Sequence, residues 1–186
     1  MATYRIPAWA REVLFPLAPS EKSPAPARTV GSPSCAACEA VLAPAAPIPA
    51  NVTIRHGYAS VASVLASSSN ASAVSGTDNW LVVDDAVDGD PLIAPQQAAS
   101  ALVFAQPSAA MRPSVVSFAP VGAESSDKAG TLSWPGVVVP ANGKIILMHF
   151  VVQQVNRAGA LAAAERLAQL PPEALQALSP NERAAV

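Results

Sequence analysis

The sequence predicts a mainly β fold. It should be an antiparallel β-sandwich-like module with a C-terminal α-helical appendage and an irregular, Pro-rich N-terminus. Three observations carry this. Short runs of β-branched and aromatic residues recur between residues 50 and 155, separated by Pro, Gly and Ser. After Gln154 the apolar period changes from 2 to helical spacing. Nine of the 19 prolines fall within the first 50 of 186 residues.

The division that follows is 1–49 as a Pro/Ala-rich tail, 50–155 as the β module and 156–186 as a helical end. In the tail, Pro24, Pro26, Pro33, Pro44, Pro47 and Pro49 leave no window for a normal helix, because each removes a donor and restricts its predecessor. Trp9–Phe15 has room for one weak turn, and a short strand fits around 39–43.

In the module, Val52-Thr53-Ile54, Ser60–Ala66 and Trp80–Val83 read as strands, the last ended by Asp84 and Asp85. Ala101–Ala105, Ser114–Ala119 and Thr131–Val139 follow, with Pro135 placing an edge or a bulge in the last. Pro140-Ala141-Asn142-Gly143 is a turn signal, expected to join two strands as a hairpin. Lys144–Gln154 is apolar on both alternating faces, which predicts one long central strand.

Asn156 is the expected N-cap of a helix over Arg157–Leu170, with an apolar stripe of Leu161, Ala164, Leu167 or Ala168, and Leu170. Its alanines suit docking on the sheet. Pro171 and Pro172 stop it, and Pro172–Leu175 starts a second short helix. Ser179-Pro180-Asn181-Glu182 is a capping box announcing a third. That helix has few residues before Val186, so the folding unit is expected to continue or to be completed by a partner segment.

Composition sets several functions aside. The apolar class reaches 51%, but 40 residues of it are Ala, which bury little area. The 11 basic residues form no cluster against 13 acidic ones, which argues against nucleic-acid binding. The longest apolar run, Ile145–Val152, is interrupted by His149 and is too short to span a membrane as a helix. Met1–Val30 lacks the apolar core of a signal peptide.

Cys35 and Cys38 offer half a zinc site or a redox pair. No second Cys pair follows, and His56 and His149 are isolated in sequence, so they are expected to be loop cysteines or a small disulfide. His149, inside an apolar strand, is expected to be a hydrogen-bonded structural histidine, and His56 to be exposed at a strand end. Ser, His and Asp could be assembled into a triad only on paper, because no G-x-S-x-G elbow and no Gly-rich phosphate loop exist. Asn51-Val52-Thr53 and Asn70-Ala71-Ser72 match the glycosylation pattern, which recurs by chance.

The densest chemical feature is acidic. Asp78, Asp84, Asp85, Asp88 and Asp90 are five of the 13 acidic residues. Closely spaced carboxylates in a turn can ligate Ca²⁺, which makes Asp84, Asp85, Asp88 and Asp90 the candidate metal ligands. The EF-hand spacing is not met, and the plainer reading is a turn in which Asp satisfies local backbone donors.

Thr77–Asp85 followed by Asp88-Gly89-Asp90-Pro91 resembles the acidic Trp motif of a repeated β-rich module from large bacterial secreted or surface proteins. The resemblance continues at Val137–Gly143 and Leu147–Gln154, and ends at Ala174-Leu175 and Leu178–Arg183. It covers roughly 50–186; residues 1–49 depart from it. It implies a non-enzymatic structural or adhesive unit, extracellular or at the cell surface, whose partners are adjacent modules of a longer chain or cell-surface components. An incomplete hydrolase fragment and a partly folded fragment are the alternatives.

Overall fold

In a computed structural model, the described residues are 37–40, 46–71, 73–89, 97–122, 125–176 and 178–183. They form nine strands, β1 (Ala37–Ala40), β2 (Ile48–Tyr58), β3 (Ser63–Ser67), β4 (Trp80–Asp84), β5 (Ser100–Val103), β6 (Val115–Gly122), β7 (Ser125–Val139), β8 (Ile145–Met148) and β9 (Phe150–Gln153). Helix α1 (Arg157–Leu167), a 3₁₀ turn (Pro172–Leu175) and α2 (Pro180–Arg183) follow. All strand pairs are antiparallel, in the orders β3-β4-β5-β9, β2-β7-β6 and β1-β8. The mainly β, antiparallel class with a C-terminal helix holds; the expected irregular stretch over 1–36, with the weak turn at Trp9–Phe15, lies outside the described residues.

Two apolar layers explain the stacking. Val52, Ile54 and Tyr58 of β2, Val116 of β6 and Leu132, Trp134 and Val137 of β7 meet Leu81 and Val83 of β4 and Leu102 of β5 in one core. The intervening residues of the four-stranded sheet, Trp80, Val82, Ala101, Val103, Phe150 and Val152, face the other way, against α1. The order is therefore sheet, sheet, helix. Every residue of β4 and β5 is buried because both faces of their sheet are covered.

Helix α1 begins where the sequence places it. The Asn156 side chain accepts from the Gly159 amide at 2.8 Å. Its buried line is Ala160, Ala164 and Ala168, at four-residue intervals, with Leu161, Leu167 and Leu170 partly buried beside it. Methyl side chains let the helix lie close to the sheet. The appendage is thus packed onto the module. The capping box also forms: the Ser179 amide donates to Glu182 Oε2 at 2.8 Å, and the Glu182 amide donates to Ser179 Oγ at 3.4 Å.

The Pro135 expectation resolves as a bulge. Ala50 pairs with Val137 and Val52 with Trp134, so Asn51 alone faces Pro135 and Gly136. Gly136 takes φ +66°, and its amide donates to Asn51 Oδ1 at 2.7 Å. Strand β6 starts opposite Ser133, so Pro135, which lacks an N–H, lies beyond its pairing.

Two expectations about the following segment are corrected. The Pro140–Gly143 turn forms, with Asn142 at φ 52° and the Gly143 amide donating to the Pro140 carbonyl at 3.0 Å. It does not make a hairpin: β7 pairs with β2 and β6, and β8 with β1. The expected single strand over Lys144–Gln154 is interrupted at His149, after which the chain changes partner from β1 to β5. Among the described residues β9 is an edge strand of its sheet, while β4 and β5 are central. Its two apolar faces follow from coverage by α1 and by the opposing sheet, and do not require a central position.

Candidate functional site

The acidic Trp motif builds two braces. In the first, Asp78 is fully buried before β4. Its carboxylate accepts from the Ser69 and Ser75 amides, both at 2.9 Å, and from the Ser68 hydroxyl at 3.3 Å. Burial works to raise its pKa, but donors of the Ser67–Ser75 loop outweigh this and hold the carboxyl below its usual value.

Arg112 closes the same loop from the far side. Its guanidinium donates to the carbonyls of Gly76, Thr77, Asp78 and Gln106 and to Asn79 Oδ1, at 2.6–3.1 Å. The Asn79 carbonyl receives the Phe104 and Ala105 amides. Gly76 must be glycine for this closure, since a Cβ would stand 2.6 Å from the Pro113 carbonyl oxygen.

The second brace joins the acidic turn to α1. The Arg157 guanidinium donates to Asp84 Oδ2 at 2.9 Å and to the Asp85 carbonyl at 2.8 Å. The Arg157 amide donates to Asp88 Oδ1 at 2.8 Å. Asp85 accepts from the Gln97 and Val87 amides, each at 2.8 Å. Those two amides, in that order, hold the Asp85 carboxyl below its usual range, against the opposing effect of burial.

Of the four expected calcium ligands, Asp90 lies outside the described residues. Asp84, Asp85 and Asp88 are turned onto Arg157 and backbone amides, and do not converge on one point with free oxygens. No group of three or more His, Cys, Asp or Glu side chains suited to a metal gathers among the described residues. The plainer reading, carboxylates satisfying local donors, describes the Asp84 bond to the Asp85 amide and the Asp85 bond to the Val87 amide; the bonds to Gln97 and Arg157 are long-range. A guanidinium at the centre repels a cation. Millimolar Ca²⁺ is expected to leave the melting temperature unchanged within about 1 °C, as differential scanning fluorimetry would read; a saturable rise would place a cation at this turn.

The histidines correct two further expectations. Residues 52, 54, 56 and 58 of β2 share one face, so His56 points into the sandwich with Val52, Ile54 and Tyr58. His149, between Leu147 and Val151, joins the same interior from the other side. Their ring centroids are 4.8 Å apart at 46°. His56 is not exposed; it is largely buried. His149 is 1% exposed and is not hydrogen-bonded among the described residues, where neither ring nitrogen has a partner. His56 Nε2, Tyr58 OH and Trp134 Nε1 are also buried without partners among the described residues. Burial lowers the His56 pKa to about 4. Burial, then the neighbouring His56, lowers that of His149 to about 3. Burial pushes the Tyr58 phenol up.

A cleft of about 240 Å³ opens elsewhere, between Phe104, Met111, Trp134, Leu147 and Leu167. It is smaller than the roughly 300–1,000 Å³ usual for small-molecule sites.

Cys35 lies outside the described residues. Cys38 is placed by backbone register opposite Leu147, two positions before His149. Sequence reasoning missed Arg112, whose partners are mostly carbonyls and so leave no motif. It also missed the histidine pair, 93 positions apart in sequence. Period-2 alternation through Ile54 and Tyr58 was the one signal that placed His56 inward.

Compared with known families, curated proteins and solved structures, the chain matches none. Among the described residues, no helix is long and apolar enough to cross a membrane.

Proposed function

We propose that this chain is a non-enzymatic structural or adhesive module, a β-sandwich unit of a longer bacterial secreted or surface protein. The observation that supports it is the use made of the acidic Trp motif. Asp78, Asn79, Asp84, Asp85 and Asp88 are all engaged in bracing loops and the helix. Side chains engaged in this way hold a unit rigid, as suits a spacer or a presenting surface. The resemblance of this motif to modules of large surface proteins points the same way.

The test uses the full chain. Urea unfolding followed by circular dichroism and by tryptophan fluorescence is expected to give one coincident transition. Hydrolysis of ester, peptide or glycoside substrates above a heat-denatured control, lost in His149→Phe, would overturn the reading. Beads carrying the chain separate the two roles. Retention on an extracellular-matrix surface, absent with the heat-unfolded chain, assigns adhesion, and no retention assigns a spacer.

A further inference from the structure

We propose that His56 and His149 make an acid-sensitive latch: protonation of the two rings releases the β1–β8 ribbon while both larger sheets stay folded. The first observation is the packing of the pair. The ring centroids are 4.8 Å apart, His149 is 1% exposed and His56 is largely buried. Among the described residues, neither nitrogen of His149 has a partner, nor has His56 Nε2. No carboxylate there offsets a charge on either ring. Two cations at this distance in a dry interior repel, so the closed state holds both rings neutral. Protons enter only where the rings meet water.

The second observation is how weakly the adjoining strand is tied. His149 stands where the chain leaves β8 for β9. Among the described residues β8 pairs only with β1, through four residue pairs, and this ribbon is hydrogen-bonded to neither larger sheet. Leu147 is the one buried residue of β8. Strand β9, by contrast, pairs with β5 and buries Phe150 and Val152 against α1. Lifting β8 uncovers His149, and with it the neighbouring His56, at less cost than parting the two larger sheets. A segment with few buried contacts opens first.

Few other charges bear on the pair. Tyr58 shares the β2 face, and burial keeps its phenol protonated. Arg55 alternates to the other face and is exposed. On β7, Gly130 stands opposite His56; Lys128 stands opposite Tyr58 and donates to the Ala62 carbonyl, and Asp127 precedes it. Asp84 of β4 is turned to Arg157. Strands β5, β6, β8 and β9 carry no ionisable side chain. On β1, Cys38 and Glu39 stand by register opposite Leu147 and Ile146. Carboxyls ordinarily titrate below pH 5, and thiols and amines above pH 7, so the two rings are what changes charge between. Burial lowers their closed-state pKa values from 6.5 to about 4 and about 3. The open state takes protons near the ordinary value, so acid favours opening, by about twentyfold per ring between pH 7 and pH 5.

The test is native-state hydrogen exchange of the full chain in low urea at pH 7, 6 and 5, corrected for the intrinsic pH dependence of exchange. Protection of residues 144–149 is expected to fall about four hundredfold from pH 7 to pH 5. Its urea slope is expected to lie well below that of β4 and β5, whose amides stay better protected. His56→Phe and His149→Phe are each expected to leave about a twentyfold fall, and the double variant little. Protection and urea slope equal to those of β4 and β5 would make the opening global and overturn the latch. So would a pH response that persists in the double variant. Should a Phe variant fail to melt cooperatively, the pH slope of wild type decides. Uptake of about two protons per opening between pH 6 and pH 5 supports the pair, and about one or fewer overturns it.

Discussion

Arg112→Met is expected to destabilise the protein by about 2–4 kcal/mol. The guanidinium makes five hydrogen bonds that hold residues 76–79 against Gln106. Bonds from a charged donor contribute about 1.5–3 kcal/mol each, but bonds that share one side chain do not add. Removing the donor also leaves four carbonyls and one amide oxygen to find water in a loop that holds the start of β4. The methionine keeps the apolar stem, so the loss reports the head group. Arg112→Lys is expected to recover less than half, because an ammonium cannot reproduce the planar fork. Urea midpoints at constant m-value measure both. A loss below about 0.5 kcal/mol for Arg112→Met would show that the loop is held by Asp78 alone.

Acidification from pH 7 to pH 5 in EDTA is expected to remove about 3–4 kcal/mol of stability through His56 and His149. The sign follows from their burial. Both folded-state pKa values are lowered, to about 4 and about 3, from 6.5. Below pH 6.5 the unfolded chain binds protons that the folded chain does not, so stability present above 6.5 is lost as pH falls towards the folded values. Each histidine contributes about 2 kcal/mol over this interval. The carboxylates act elsewhere: Asp78 and Asp85 are lowered from 3.8, and their contribution is lost only in more acidic solution. A His56→Phe/His149→Phe chain should therefore show a flat profile between pH 7 and 5. Urea unfolding at the two pH values decides it. A wild-type profile as flat as that of the double variant would mean that the rings are solvated in the folded state.

These two residue sets differ in how far the sequence could reveal them. Asp78, Asp84, Asp85 and Asp88 were visible as a motif, and turn chemistry anticipated their bonds to the nearby amides of Ser75, Asp85 and Val87 but not those to Gln97 and Arg157. Arg112 and Arg157 were not, since neither a set of carbonyls nor a carboxylate 73 residues away leaves a spacing rule. The Lys144–Gln154 run shows the same limit within one segment. Alternation placed Leu147, His149 and Val151 on one face, and the structure keeps that face. It could not say that the chain changes strand partner at His149, because two covered faces look alike whether the strand is central or at an edge.

By itself the sequence determined what is local. Proline spacing, β-branched runs, the Asn156 cap, the Ser179–Glu182 box and the Pro140–Gly143 turn are set by neighbouring residues, through φ restriction and short-range hydrogen bonds. Tertiary structure alone decided which strands pair, that Ala160 joins Ala164 and Ala168 against the sheet, and that His56 and His149 share one interior. Those depend on contacts between segments tens of residues apart, where the free energy lies in covering whole apolar faces and no short pattern records the partner.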